Sequence, residues 1–178
     1  MARDRYRIFD NSCPHFVTCT VVNWLPLLGM RSVAEIVLES LSYLQEKNRL
    51  TLYAYVIMEN HLHMVAVAED LSRQLATFKS YTARRIIDHL SEVGMHSLLQ
   101  QLRAQKLAHK TDRQYQFWQE GSHPVQIQNA EVMREKIEYI HNNPVRRGYV
   151  EEAVYWRYSS ATDYAGQRGL LDVETDWH

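Results

Sequence analysis

The sequence predicts an α+β sandwich, an antiparallel sheet with helices packed on one face and elements in the order β-α-β-β-α-β-α. Three patterns predict it. Short apolar runs rich in β-branched and aromatic residues lie at 15–22, 51–58 and 64–68. The second and third of these flank a Glu59-Asn60 turn, which makes them a hairpin. Between and after them apolar residues recur at helical spacing, and such stripes are buried against a sheet.

The elements follow in order. After the first strand, a helix over about 32–47 carries the stripe Val33, Val37, Leu41 and Leu44, with Ser32 and Glu35 as a capping box. The hairpin comes next, then a helix over about 71–91 with the stripe Leu71, Leu75, Phe78, Thr82 and Ile86. Residues 91–116 are rich in Gln, Lys, His and Leu; Leu98, Leu99, Leu102 and Leu107 suit a short helix, and the rest is unassigned. Residues 117–121 and 123–127 read as a turn and a last short strand. A final helix has Asn129 as its cap, Glu131 in its first turn and Pro144 at its end. There are no repeats or low-complexity segments. With 178 residues, 46% of them hydrophobic, the chain reads as one domain, its tail from about 165 either packed near the site or mobile.

Lys and Arg total 20 against 21 Asp and Glu, a net charge of −1. A nucleic-acid ligand would then be held by local patches rather than by a basic surface. Candidate patches are Arg3, Arg5 and Arg7; Lys79, Arg84 and Arg85; Arg103, Lys106, Lys110 and Arg113; and Arg146 and Arg147. Each also reads as a solvated face. No apolar run approaches the roughly 18 residues that span a bilayer, and no signal-like core follows Met1, so the expected location is cytoplasmic. Cys13 and Cys19 are expected as thiols, and no Cys-x-x-Cys pair or dense Cys/His cluster argues for structural zinc.

His61-Leu62-His63 is the strongest chemical signal. On a strand, i and i+2 side chains share a face about 6.6 Å apart, close enough to converge on one cation, while Leu62 points into the core. Two solvated histidines would look the same in sequence. The last helix adds Tyr139 and Asn143, four residues apart and therefore on one face, a phenol beside an amide oxygen. Of eleven tyrosines, Tyr81 is the main rival nucleophile, but it flanks a buried stripe and reads as packing beside the core. Tyr115, Tyr149 and Tyr158 have no ligand-type neighbour at a helical or strand period.

These motifs carry a resemblance. An apolar strand with His-hydrophobic-His, a helix reading Tyr-Ile-His-Asn-Asn-Pro-Val-Arg-Arg-Gly, and then Trp156-Arg157-Tyr158-Ser159-Ser160 resemble the single-tyrosine HUH transposases. More narrowly, the chain is similar to the REP-associated tyrosine transposases, relatives of insertion-sequence enzymes that cut and rejoin single-stranded DNA at hairpins. The likeness runs from about Phe16 to Tyr164. It implies a ferredoxin-like sheet, His61 and His63 as metal ligands, Tyr139 as nucleophile and magnesium or manganese as the ion. Asn143 falls where the family offers a third ligand. Because the residue before proline is pushed from helical geometry, Asn143 is expected near a frayed end, where His141 or Asn142 are alternatives.

The implied reaction joins a 5′-phosphate to Tyr139 and frees a 3′-hydroxyl. The partner is single-stranded DNA with a hairpin, with Arg84, Arg85, Arg146 and Arg147 as candidate contacts and no small-molecule substrate. The unassigned middle segment would be a packing insertion or a basic wall for the hairpin. Insertion-sequence members exchange the tyrosine helix within a dimer, whereas REP-associated members resemble monomers; the residues leave monomer and homodimer open. Two other readings also stand: a non-catalytic DNA or RNA hairpin-binding module, and a metal-dependent nuclease that activates water.

Overall fold

The computed structural model describes residues 8, 10–107, 111 and 114–177. The candidate cations Arg3, Arg5, Arg7, Lys110 and Arg113 lie outside these residues. Strand β1 (His15–Thr20) leads through two 3-10 turns into α1 (Arg31–Glu46). The hairpin β2 (Thr51–Ile57) and β3 (His61–Val67) follows, then α2 (Leu71–Glu92), α3 (His96–Ala104), the two-residue β4 (Val125–Gln126), α4 (Ala130–Arg146) and the short α5 (Ala161–Tyr164). The sheet is antiparallel with strand order β2-β3-β1-β4, the ferredoxin-like arrangement the sequence led us to expect. β3 is therefore central, with Thr20 opposite His61 and Thr18 opposite His63 on β1.

The alternation of strands divides the molecule into two cores. Val17, Cys19, Leu62, Met64 and Ala66 pack with Leu41 of α1 and Phe78 and Ile86 of α2. Ala54, Val56 and Val65 pack with Met133, Ile137 and Ile140 of α4. The expectation of helices on one face thus holds for α1 and α2, while α4 covers the other. Its apolar stripe is matched to residues of the opposite parity, which the order of elements does not specify. An irregularity between Leu52 and Ala54 puts Tyr53 beside Ala54 on the α4 side.

Backbone pairing continues beyond the named strands on both sides of the sheet. Gln119 N–H donates to Thr20 O at 2.8 Å and Thr18 N–H to Ser122 O at 3.0 Å, extending the short β4 along β1. On the β2 side, Ile57 N–H donates to Tyr158 O at 2.8 Å and Ser160 N–H to Tyr55 O at 3.0 Å. The tail continues along this edge, where Glu174 N–H donates to Leu52 O at 2.8 Å and Leu171 is buried. Pairing of this kind removes the open ladder that invites association.

Three local expectations are corrected. The Ser32 and Glu35 capping box does not form: Met30 is the cap residue, Ser32 Oγ pairs with His89 Nε2 at 2.9 Å, and Glu35 accepts from Arg31 Nε at 2.7 Å. Tyr81 is exposed rather than packed beside the core. Pro144 does not end α4. The helix runs through it to Arg146 and is closed by Gly148 at φ 72°, with Gly148 N–H donating to Val145 O at 2.9 Å and Tyr149 N–H to Pro144 O at 3.0 Å. These are the paired bonds of a glycine-terminated helix, and one missing N–H in the last turn is tolerated within them.

Candidate active site

Both histidines descend from the β3 pattern, and both are buried, His61 at 4% and His63 at 6% exposure. They are not the solvated pair that the bland reading allowed. Their ring centroids are 4.5 Å apart. His61 Nδ1 lies 2.6 Å from Asn60 Oδ1, and since an amide oxygen only accepts, Nδ1 carries the proton. The Nε2 atom then presents a lone pair. His63 Nδ1 pairs with Thr18 Oγ1 at 2.8 Å, across the β1–β3 ladder. Such partners on the second nitrogen fix the ring and leave Nε2 for a ligand.

Burial pushes His61 down to about 4, partly opposed by the Glu59 charge and reinforced by Arg147. Burial and the neighbouring His61 push His63 down to about 3. Both rings are thus neutral at physiological pH, the form that binds a cation.

α4 carries the other half. Tyr139, Asn143 and Arg146 recur at i, i+4 and i+7 on one helical face, an alignment that exists because the helix continues past Pro144. Tyr139 meets the His63 ring edge-on at 5.4 Å between centroids, and it is 38% exposed. Phe16 packs beside both, stacked on His63 at 5.2 Å and edge-on to Tyr139 at 5.9 Å. The Arg146 guanidinium lies 5.5 Å from the Tyr139 ring centre, within cation–π range. Arg147 Nη1 is 3.7 Å from Glu59 Oε1 at the surface.

Thr18, Trp24, His61, His63, Tyr139, Asn143, Arg146 and Arg147 together line a cleft of about 330 Å³. The structure therefore unites His61, His63, Tyr139, Asn143, Arg146 and Arg147 in one chain. It does not bring Arg84 and Arg85 there. These stand exposed on α2, behind the sheet, where Arg84 borders a separate groove of about 530 Å³. Lys79 in that groove is committed to the carbonyls of Gln119 at 2.6 Å and Gly121 at 2.7 Å. The alternatives to Asn143 are not in the cleft: Asn142 is exposed, and His141 pairs through Nε2 with Ser160 Oγ at 2.9 Å under the Tyr164 ring. Thr18, Asn60, Phe16 and Trp24 escaped the sequence reading. Asn60 was legible only as a turn residue, and Thr18 acquires its role through cross-strand register.

Among the described residues no third His, Cys, Asp or Glu joins the two histidines as a metal-binding group. Among the other residues lining the cleft, Asn143 offers an amide oxygen that could serve a cation. Two neutral imidazoles and an amide, with room for water, suit a divalent cation that keeps open positions better than a closed structural zinc. Among the described residues no helix is long and apolar enough to cross a membrane.

The chain matches a solved REP-associated tyrosine transposase bound to a REP hairpin with a TM-score of 0.67 and 18% identity, covering 100% of this chain and 95% of that one. A suspected transposase from Deinococcus radiodurans matches at a TM-score of 0.44 and 16% identity, over 80% of this chain and 97% of that one. No protein-family model and no curated protein matches. At 18% identity the first likeness establishes the fold; the chemistry of this chain is argued from its own cleft.

Proposed function

We propose that this chain is a single-tyrosine nuclease and strand transferase, similar to the REP-associated tyrosine transposases, which cuts and rejoins single-stranded DNA at hairpins. The observation that carries the reading is the convergence of Tyr139, Asn143, His61 and His63 on one cleft, with Tyr139 against His63. Neither a bare hairpin-binding surface nor a water-activating nuclease accounts for a half-exposed phenol held there.

In the first step Tyr139 Oη attacks the scissile phosphorus. The bond from phosphorus to the 3′-oxygen breaks, a 5′-phosphotyrosine link forms, and the phenol proton is balanced by the one the departing 3′-oxygen takes up as a hydroxyl. Attack by a 3′-hydroxyl on that link reverses the exchange and frees Tyr139, so breaking and joining need no high-energy cofactor. Arg146, whose guanidinium lies over the Tyr139 ring, and Arg147 offer positive charge to the phosphate.

His61 Nε2, His63 Nε2 and the Asn143 amide oxygen would hold magnesium or manganese, which supplies Lewis-acid polarisation of the phosphate when bound. Asn60 and Thr18 hold the two rings in the orientation this requires. Because α4 docks on the histidines of its own chain, cleavage by a monomer is the form of the reaction we favour.

The test incubates wild type, Tyr139→Phe, Tyr81→Phe and His61→Ala with labelled single-stranded hairpin DNA and manganese, followed by denaturing electrophoresis. A protein–DNA band lost only from Tyr139→Phe and His61→Ala is expected. Cleavage that survives Tyr139→Phe but not His61→Ala would make this a water-activating nuclease, and hairpin binding with no cleavage would make it a binding module.

A further inference from the structure

One wall of the cleft has no role in the chemistry above. Trp24 is 56% exposed at its mouth, with its indole edge-on to His61 at 6.2 Å between centroids. Its backbone is unusual: Asn23 and Trp24 hold φ of 51° and 55°, the left-handed region that a bulky residue rarely enters. The surrounding turn is firmly held. Trp24 N–H donates to Val21 O at 3.1 Å, Val22 N–H to Phe117 O at 2.8 Å, and Leu28 N–H to Glu59 O at 2.9 Å. Val22, Leu27 and Leu28 on either side are buried. Backbone fixed between buried anchors thus holds a large, exposed aromatic over the cleft. Strained backbone of this kind clusters at active sites and ligand clamps.

From this geometry we infer that Trp24 is a stacking platform for a nucleobase of single-stranded DNA next to the scissile phosphate. The inference rests on the reading of this cleft as a DNA transesterification site. Charge complementarity selects the occupant. Arg146 and Arg147 line the same cleft, so a nucleotide whose phosphate meets the arginines can lay its base on Trp24. An indole face accepts any base, whereas a paired duplex offers no free base face inside a cleft of about 330 Å³. Trp24 would therefore select for unpaired DNA beside the hairpin, independently of its sequence. It is a positioning residue, acting by holding the strand rather than by touching the reacting atoms.

The test uses a DNA hairpin with a short mixed-sequence single-stranded tail, and the same oligonucleotide with abasic sites in the tail. Binding to Tyr139→Phe, which retains Trp24, is expected to quench tryptophan fluorescence. The quench disappears in Trp24→Phe, which binds within a few-fold of wild type, although Trp118, Trp156 and Trp177 remain. Trp24→Ala weakens tail binding and raises KM roughly 10- to 100-fold with a smaller change in kcat. The abasic tail weakens wild type equally and Trp24→Ala no further. Trp24→Gly, relieved of the positive φ, keeps or raises the melting temperature while losing the same affinity.

Equal impairment of Trp24→Ala and Trp24→Phe, with the abasic tail still weakening both, would overturn the proposal and leave Trp24 as a prop for His61. So would Trp24→Ala binding and cleaving as wild type does, while the tyrosine reading survived. Quenched binding with no covalent adduct in any variant would uphold the stacking site and overturn the tyrosine reading.

Discussion

The two faces of β3 make different demands on one strand. Leu62, Met64 and Ala66 point toward α1 and α2 and need only apolar neighbours. His61 and His63, one residue out of phase, point toward α4 and are also buried, yet each needs a hydrogen-bond partner on Nδ1. A buried apolar group is stabilised by area, whereas a buried imidazole is stabilised only by orientation. The first face therefore tolerates similar-sized apolar substitutions; the second depends on single atoms of Asn60 and Thr18.

Substituting one residue on each face separates the two demands most sharply. Tyr139→Phe is expected to abolish the covalent adduct, a loss of at least about 10⁴-fold as expected for a missing nucleophile, with no more than a small change in melting temperature because Tyr139 stands partly in solvent. Leu62→Ala should do the reverse. It leaves a cavity in the α1 and α2 core, at a cost of about 2–5 kcal/mol, while any surviving folded protein still forms the adduct. Thermal unfolding and adduct yield on the two variants check the separation.

Acid should act through the α4 side. His61 and His141 are held down to about 4 and His63 to about 3, chiefly by burial, against an unfolded value near 6.5. Between those values the unfolded chain binds more protons than the folded one. Stability is therefore unaffected above about pH 6.5 and falls as the pH drops toward 4, by at most roughly 3 kcal/mol for each histidine. Melting temperatures in chelator at pH 7 and pH 4.5 should show this drop, and His141→Gln should shrink it.

The smallest effect tests one hydrogen bond. Thr18→Val keeps the strand's shape but removes the partner of His63 Nδ1, and the affinity for manganese is expected to fall about 10- to 100-fold with the fold intact. Unchanged affinity in a titration would mean that Phe16 stacking alone orients the ring.

Much of this was legible in the chain. Period-2 and period-3.6 patterns do not depend on distant contacts, so the hairpin, the stripes of α1 and α2 and the cap at Asn129 were readable, as was the shared face of Tyr139 and Asn143. The helix end was misread because proline signals a break locally, whereas the stop here is a hydrogen-bond pattern completed at Gly148 and Tyr149. Arg84 and Arg85 show the same limit: a basic pair reads alike whichever side of the sheet its helix covers.

Local periodicity was enough to say which residue types share a face: His61 with His63, Tyr139 with Asn143, and Leu62 opposite the histidines. Those follow from the geometry of a strand and a helix taken singly. Packing between distant segments places α4 on the histidine side, brings Thr18 of β1 to His63, and sets a turn 37 residues before His61 so that Trp24 stands at the cleft. These depend on register and packing between segments distant in the chain, and no local period encodes them.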